Sequence, residues 1–211
     1  MMKREVGNKS FPIWLMGDSE PENWQDKLDT PLDPRHPARH NIWTPVLDVV
    51  QDQIFRTTGQ RLDTSTLFIR NAIGDPAIKP RRRDIQWQII VTDELLVWES
   101  LIAANHPCLI FTFGSFAFEF ARRVRGETPP QRFDHWGALH LGDQFRSRIQ
   151  SFDPAQINIV PLLHTSISRG RFIESHEQFC QNISGANYFD FVGNEIAHII
   201  LKHCSQLPIW I

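Results

Sequence analysis

Long apolar runs, paired cysteines and an excess of one charge are what this sequence of 211 residues lacks. The longest apolar stretch, Cys108-Leu-Ile-Phe-Thr-Phe-Gly114, is far shorter than the ~20 residues that span a bilayer. The opening Met1-Met2-Lys3-Arg4-Glu5 has no signal-peptide core. No membrane partner is therefore expected, and the expected location is the cytoplasm, or the nucleus if the source is eukaryotic. The three cysteines, Cys108, Cys180 and Cys204, are far apart and odd in number, which argues against a disulfide framework. No CxxC pair offers a nest for zinc or an iron–sulfur cluster. His36 and His40 have the spacing of a helical metal pair, but Pro34 and Pro37 make that segment a loop, so no metal is expected. The formal net charge of −2 gives no global attraction for nucleic acid, and any polyanion site must be a local patch.

What is present is an ordinary globular balance, 41% hydrophobic and 22% charged, enough to bury the core of one domain over residues 1–211 with a short tail after about residue 204. Four apolar runs read as buried strands: Phe11 to Met16, Leu67 to Ile73, Cys108 to Phe113 and Ile157 to Leu163. Between them lie helical patterns. Ile42, Val46, Val49, Val50, Ile54 and Phe55 form a stripe closed by Gly59, with Pro45 in the first turn. Leu95, Leu96, Trp98 and Leu101 face inward from a helix over 93–104, and further helices are expected from Phe116, over 174–180 and over 189–203. The stretch from Arg125 to Phe152 carries no assigned element, and only a tail is expected beyond Pro208. Between Trp14 and Pro34 six acids stand against one lysine, mostly a solvated face, and Lys79-Pro-Arg-Arg-Arg83 is an exposed basic loop, either simply solvated or placed to meet phosphates.

Strands alternating with helices predict a three-layer α/β/α fold with a central four-stranded parallel sheet. In such sheets ligands bind beyond the carboxyl ends of the strands. Each apolar run here ends in a polar group: Asp18 and Glu20 after the first, Asn71 in the second, Ser115 after the third and His164 after the fourth. Ser115 opens a helix, either as a plain cap or as a phosphate-holding turn. A carboxylate, an amide and an imidazole around one concavity suit water activation beside recognition of a planar polar ligand.

Leu67-Phe-Ile-Arg-Asn71-Ala-Ile73, then Phe113-Gly114-Ser115, then His164-Thr165-Ser166-Ile167-Ser168 with Arg169-Gly170-Arg171-Phe172, and Pro37-Ala-Arg-His-Asn41-Ile42-Trp43 ahead of the first long helix, occur in an order that resembles the uracil-DNA glycosylase superfamily. The likeness runs from about Ile13 to Leu201. The first motif departs from the family's Gly-Gln-Asp-Pro-Tyr-His: here it is Gly17-Asp18-Ser19-Glu20-Pro21-Glu22-Asn23. Counting from the glycine selects Asp18, and counting from the proline selects Glu20. The tyrosine that excludes thymine has no counterpart, and Thr165 replaces a proline.

The resemblance implies a DNA-repair hydrolase that flips an altered base, uracil above all, out of single- or double-stranded DNA and cuts its N-glycosidic bond without a cofactor, as a monomer. It implies that Asn71 reads the base edge, that Trp43 or Trp24 stacks on it, and that His164 holds the oxygen that gains charge. Asp18 or Glu20 would activate water. Ser115, Ser166, Ser168, Arg169 and Arg171 would hold flanking phosphates, with Ile167 or Arg169 filling the gap left by the base. The alternative is a non-catalytic nucleic-acid- or protein-binding member of the same fold, which the acidic first loop favours. Hydrolysis of a small nucleoside-like ligand is a third.

Overall fold

Apolar runs too short for helices and bounded by polar turns become strands because both faces of a parallel sheet are buried. The computed structural model describes residues 4–19, 27–36, 39–80, 86–164 and 172–211. In it the four expected strands are β2 (Ile13–Ser19), β3 (Phe68–Ile73), β4 (Leu109–Phe113) and β5 (Asn158–Leu162), all mutually parallel. A fifth strand, β1 (Glu5–Val6), runs antiparallel to β3, so the sheet has five strands in the order β1-β3-β2-β4-β5 rather than the expected four. Two residues carry no periodicity, which is why β1 is invisible in the sequence. Its contribution is electrostatic as well. Arg70, buried within β3, donates to Glu5 at 3.3 Å and to Glu94 at 3.0 Å, so the edge strand supplies one of the carboxylates that a buried guanidinium requires.

Six α-helices accompany the sheet among the described residues: α1 (Thr44–Thr58), α2 (Thr92–Asn105), α3 (Gly114–Val124), α4 (Ala138–Gln150), α5 (Phe172–Phe179) and α6 (Tyr188–Lys202). The architecture is α/β and is compatible with helical layers on both sheet faces. α1 starts with Pro45 in its first turn and stops at Gly59, whose φ of +70° is left-handed. A single π-turn over Arg39–Trp43 leads into it. α1 packs on α6, and α3 lies against β2, β3, β4 and β5. No helix among the described residues is long and apolar enough to cross a membrane.

Several expectations are corrected. α4 occupies a stretch assigned no element, although Leu141, Phe145 and Ile149 recur at every fourth residue and are buried. Gly142 masks that pattern and is required there, because a Cβ would collide with the carbonyl of Phe179. On α2, Trp98 and Ile102 face the core, while Leu96 is 54% exposed. Phe55, expected on the buried stripe of α1, is 47% exposed. The C-terminal residues are docked and do not trail free: Leu207 and Ile209 are buried, Asp63 N donates to the Ile209 carbonyl at 2.7 Å, and Ile211 N to that of Arg61 at 2.9 Å.

Behind the sheet edge, α3 carries Glu119, which is fully buried. It accepts from Arg122 (2.6 Å), Arg123 (2.8 Å), Trp136 Nε1 (2.8 Å) and Gln131 N (2.8 Å). With its charge compensated and its oxygens satisfied, Glu119 ties the connection after α3 to that helix.

Candidate functional site

Parallel strands bring their carboxyl ends to one edge, and there β2, β3 and β4 and the second residue after β5 meet around a concavity of about 620 Å³, its open mouth included. Asp18, Asn71 and His164 all line it, as does Phe113. Each comes from a different strand or strand end.

Contrary to the expected break at Gly17, β2 continues to Ser19, with Gly17 opposite Asn71 and Ser19 opposite Ile73. Asp18 is therefore a strand residue with a fixed backbone. A Cβ on Gly17 would overlap Asn71 Oδ1, so glycine is what lets the Asn71 side chain lie across the neighbouring strand. The Asn71 carbonyl accepts from Trp98 Nε1 at 3.3 Å.

One oxygen of Asp18, Oδ2, accepts from Lys79 Nζ at 2.7 Å. The other, Oδ1, is buried and accepts no hydrogen bond from any described residue. An ionised oxygen removed from water without a donor is costly, and such atoms mark places where a ligand or solvent hydrogen is received. His164 is part-buried and its Cβ stands 2.8 Å from where a Cβ of Gly114 would be; Gly114 itself has φ of +86°. Burial holds the His164 pKa below its ordinary value; Asp18 pulls it up, while Lys79 and His36 push it down. The ring is thereby kept as neutral imidazole, able to donate from one nitrogen.

The cavity's other wall was not read from the sequence. Residues 28–36 fold over it, contributing Leu28, Thr30, Pro31, Leu32 and His36. Asp33, 3% exposed, organises this turn: its carboxylate accepts from the backbone of Asp29 (3.0 Å) and Arg35 (2.9 Å) and from the Arg35 guanidinium (2.7 and 2.9 Å). Those bonds, the side-chain one to Arg35 foremost, hold the Asp33 carboxyl far below the usual carboxylate range. Leu32 has a left-handed φ of +52°, an uncommon conformation for a branched side chain, and its carbonyl accepts from Arg39 at 3.3 Å. His36 was weighed in the sequence only as half of a metal pair. Its supposed partner His40 is instead on the Pro34 carbonyl at 2.7 Å. Among the described residues no cluster of three or more His, Cys, Asp or Glu side chains stands close enough to hold a metal ion.

Trp43 does not line the cavity. It is 6% exposed and stands edge-on to Phe113, with centroids 6.2 Å apart, so it packs against a residue that does line the cavity. Ser115 is not the helix cap, since α3 begins at Gly114 and Phe113 holds the cap position. The Ser115 hydroxyl donates to the Trp136 carbonyl at 2.5 Å, and Ser115 is not among the lining residues. Glu20, Trp24, Ser166, Ile167, Ser168, Arg169 and Arg171 lie outside the described residues. In the sequence Phe113 stands only as the strand residue that opens the Phe113-Gly114-Ser115 motif, and Lys79 only as one charge of a basic cluster; neither is assigned to the cavity there.

No protein-family model matches the chain, and no curated protein matches it.

Proposed function

We propose that this protein hydrolyses the N-glycosidic bond of uracil or a related altered base in DNA. The observation that carries the reading is that Asp18, Asn71 and His164, three residue types with complementary chemistry, share one cavity at the carboxyl ends of parallel strands. Phe113, Leu28, Pro31 and Leu32 add apolar lining of the kind that suits a heterocycle. The motifs that carry Asn71 and His164 resemble those of the uracil-DNA glycosylase superfamily, whereas the motif that carries Asp18 departs from its pattern.

In this mechanism the base leaves the stack and enters the cavity, and Asn71 pairs its amide with the base edge. The bond between the sugar C1′ and the base nitrogen breaks with its electron pair going to the base. Charge appears on a base oxygen, where the neutral His164 imidazole donates a hydrogen bond that strengthens in the transition state. Asp18, through Oδ1, orients a water molecule toward C1′, stabilises the cationic sugar and takes the water's proton. The departing base anion takes up a proton from solvent as Asp18 gives its own back, and the products are the free base and an abasic site. Glu20 is the competing carboxylate.

The test is to incubate the pure protein with single-stranded and duplex oligonucleotides carrying uracil, hypoxanthine or no lesion, then treat with alkali. Strand scission confined to a lesion-bearing oligonucleotide is the expected result. Absence of scission with every substrate sinks the reading. A second reading, binding without chemistry, is favoured by one contact: the Lys79 ammonium on Asp18 offsets the charge that catalysis needs. It expects lesion-dependent binding with no scission.

A further inference from the structure

We propose that Lys79 is a positioning residue of this site: its ammonium grips Asp18 Oδ2 and so reserves Oδ1 as the one carboxylate acceptor for the ligand or for the attacking water. The proposal deepens the glycosidase reading, yet its geometry stands on this cavity alone.

Lys79 is carried by a built presentation. After β3, Gly74 N donates to Glu94 at 3.3 Å, Asp75 caps a 3-10 turn over Pro76–Ile78 by accepting from Ala77 N at 2.8 Å, and Lys79 N closes that turn on the Pro76 carbonyl at 3.1 Å. Pro80 behind it is buried. The side chain therefore leaves a pinned backbone and crosses from the end of β3 to the end of β2. Its ammonium stands 2.7 Å from Asp18 Oδ2 and 5.8 Å from the centre of the Phe116 ring.

The pair is asymmetric, and that is its chemical content. The Asp18 side chain is 17% exposed and that of Lys79 36% exposed, so the contact is partly desolvated and stronger than a surface pair. A carboxylate unpartnered on both sides rotates between equivalent orientations, whereas one gripped at Oδ2 has a single Oδ1 direction. Oδ1 is the buried oxygen with no donor among the described residues. Fixing a reacting atom in this way is worth up to about 10²-fold in rate, the effect of a 1 Å misplacement. The groups that face His164 from the surrounding elements are Asp18 of β2, Lys79 beyond β3 and His36 of the 28–36 turn, while α3 presents uncharged Gly114. Lys79 and Asp18 act on that imidazole with opposite sign, beside the larger effect of its burial, so the contact that directs the carboxylate is also felt by the neighbouring ring.

The experiment has two arms on Lys79→Met, Lys79→Arg and Asp18→Asn proteins whose amide spectra match the wild type. In the first, the His164 imidazole is titrated by NMR, with no substrate. Lys79→Met is expected to raise its pKa by about 0.5 or more, Asp18→Asn to lower it, and Lys79→Arg to leave it near the wild-type value. In the second, single-turnover cleavage falls about 10- to 100-fold in Lys79→Met, is largely restored by arginine, and shows no further loss when Lys79→Met is added to Asp18→Asn. A His164 titration unmoved by Lys79→Met overturns the proposal, as does an additive double variant. Absence of cleavage by wild-type protein together with the expected titration shifts defeats the glycosidase reading and leaves the Lys79–Asp18 coupling standing.

Discussion

The side-chain oxygen of Asn71 occupies the space where a β-carbon of Gly17 would stand, so the smallest residue of one strand holds the amide of the next in place. Gly17→Ala is expected to push the Asn71 amide out of its position while the sheet stays paired, because both residues keep their backbone register. Discrimination between altered and normal bases should collapse, with thermal stability lowered by about 1–3 kcal/mol, the usual result of overpacking. Binding to lesion-bearing and lesion-free oligonucleotides, compared by titration, checks this. Retained discrimination would show that Asn71 does not read the base.

Asp18 and Glu20 are separable by rate. If Asp18 orients water, Asp18→Asn should lower the single-turnover rate by about 10²–10⁴-fold and leave binding of an abasic product largely intact, since the interaction is made in the transition state. Glu20→Gln serves as the control. Equal small losses in both would favour the binding protein over the enzyme.

Acid sensitivity follows from buried imidazoles. Burial lowers the pKa of His164, of His36 and of His176, which is 7% exposed and packed on Phe172, Tyr188 and Phe189. A histidine whose folded pKa is depressed takes up its proton at higher pH when unfolded, so stability is fully present above the unfolded value of about 6.5 and falls as pH drops toward the folded value. The melting temperature should therefore be level above about pH 7.5 and decline below about 6.5, with His176→Gln showing a shallower decline than wild type. A melting temperature that is flat from neutral to mildly acid pH would contradict this.

With a net charge of −2, the proposed binding of DNA requires a local patch of positive charge. Arg169 and Arg171, assigned to phosphates by the motif resemblance, should each contribute about 0.9 to the slope of log affinity against log salt, within a shallow total of roughly −3 to −5. Replacing both with alanine should flatten the slope by about two and weaken lesion-bearing and lesion-free DNA alike. Salt titrations by fluorescence anisotropy measure this directly; a slope unaffected by the double substitution would remove these arginines from the interface.

The strands were legible because burial on both faces writes itself as an unbroken apolar run, and β3, β4 and β5 fall within a residue or two of the runs that announce them. The carboxyl edge of the sheet was legible for the same reason, and with it Asp18, Asn71 and His164, although β2 runs on to Ser19. Gly17 misled: read as a breaker, it is an interior strand residue whose missing side chain is used by Asn71. The stretch left without an element holds Gly142 of α4, whose absent Cβ answers to the Phe179 carbonyl from another helix. In both cases the reason for the glycine lies on a different element, and no window of sequence contains it.

The sequence by itself determined the α/β class, the positions of four strands and three of the residues that line the cavity, since hydrophobic periodicity and chain punctuation are local properties. Only the tertiary structure decided that Lys79 reaches Asp18 across 61 residues, that His36 faces the cavity while His40 does not, and that Trp43 packs against Phe113. These outcomes depend on strand order, on register and on how a turn pinned by Asp33 lies over the sheet edge. Such long-range placements are selected by the packing of the whole core, and a side chain's type does not encode which distant neighbour it will meet.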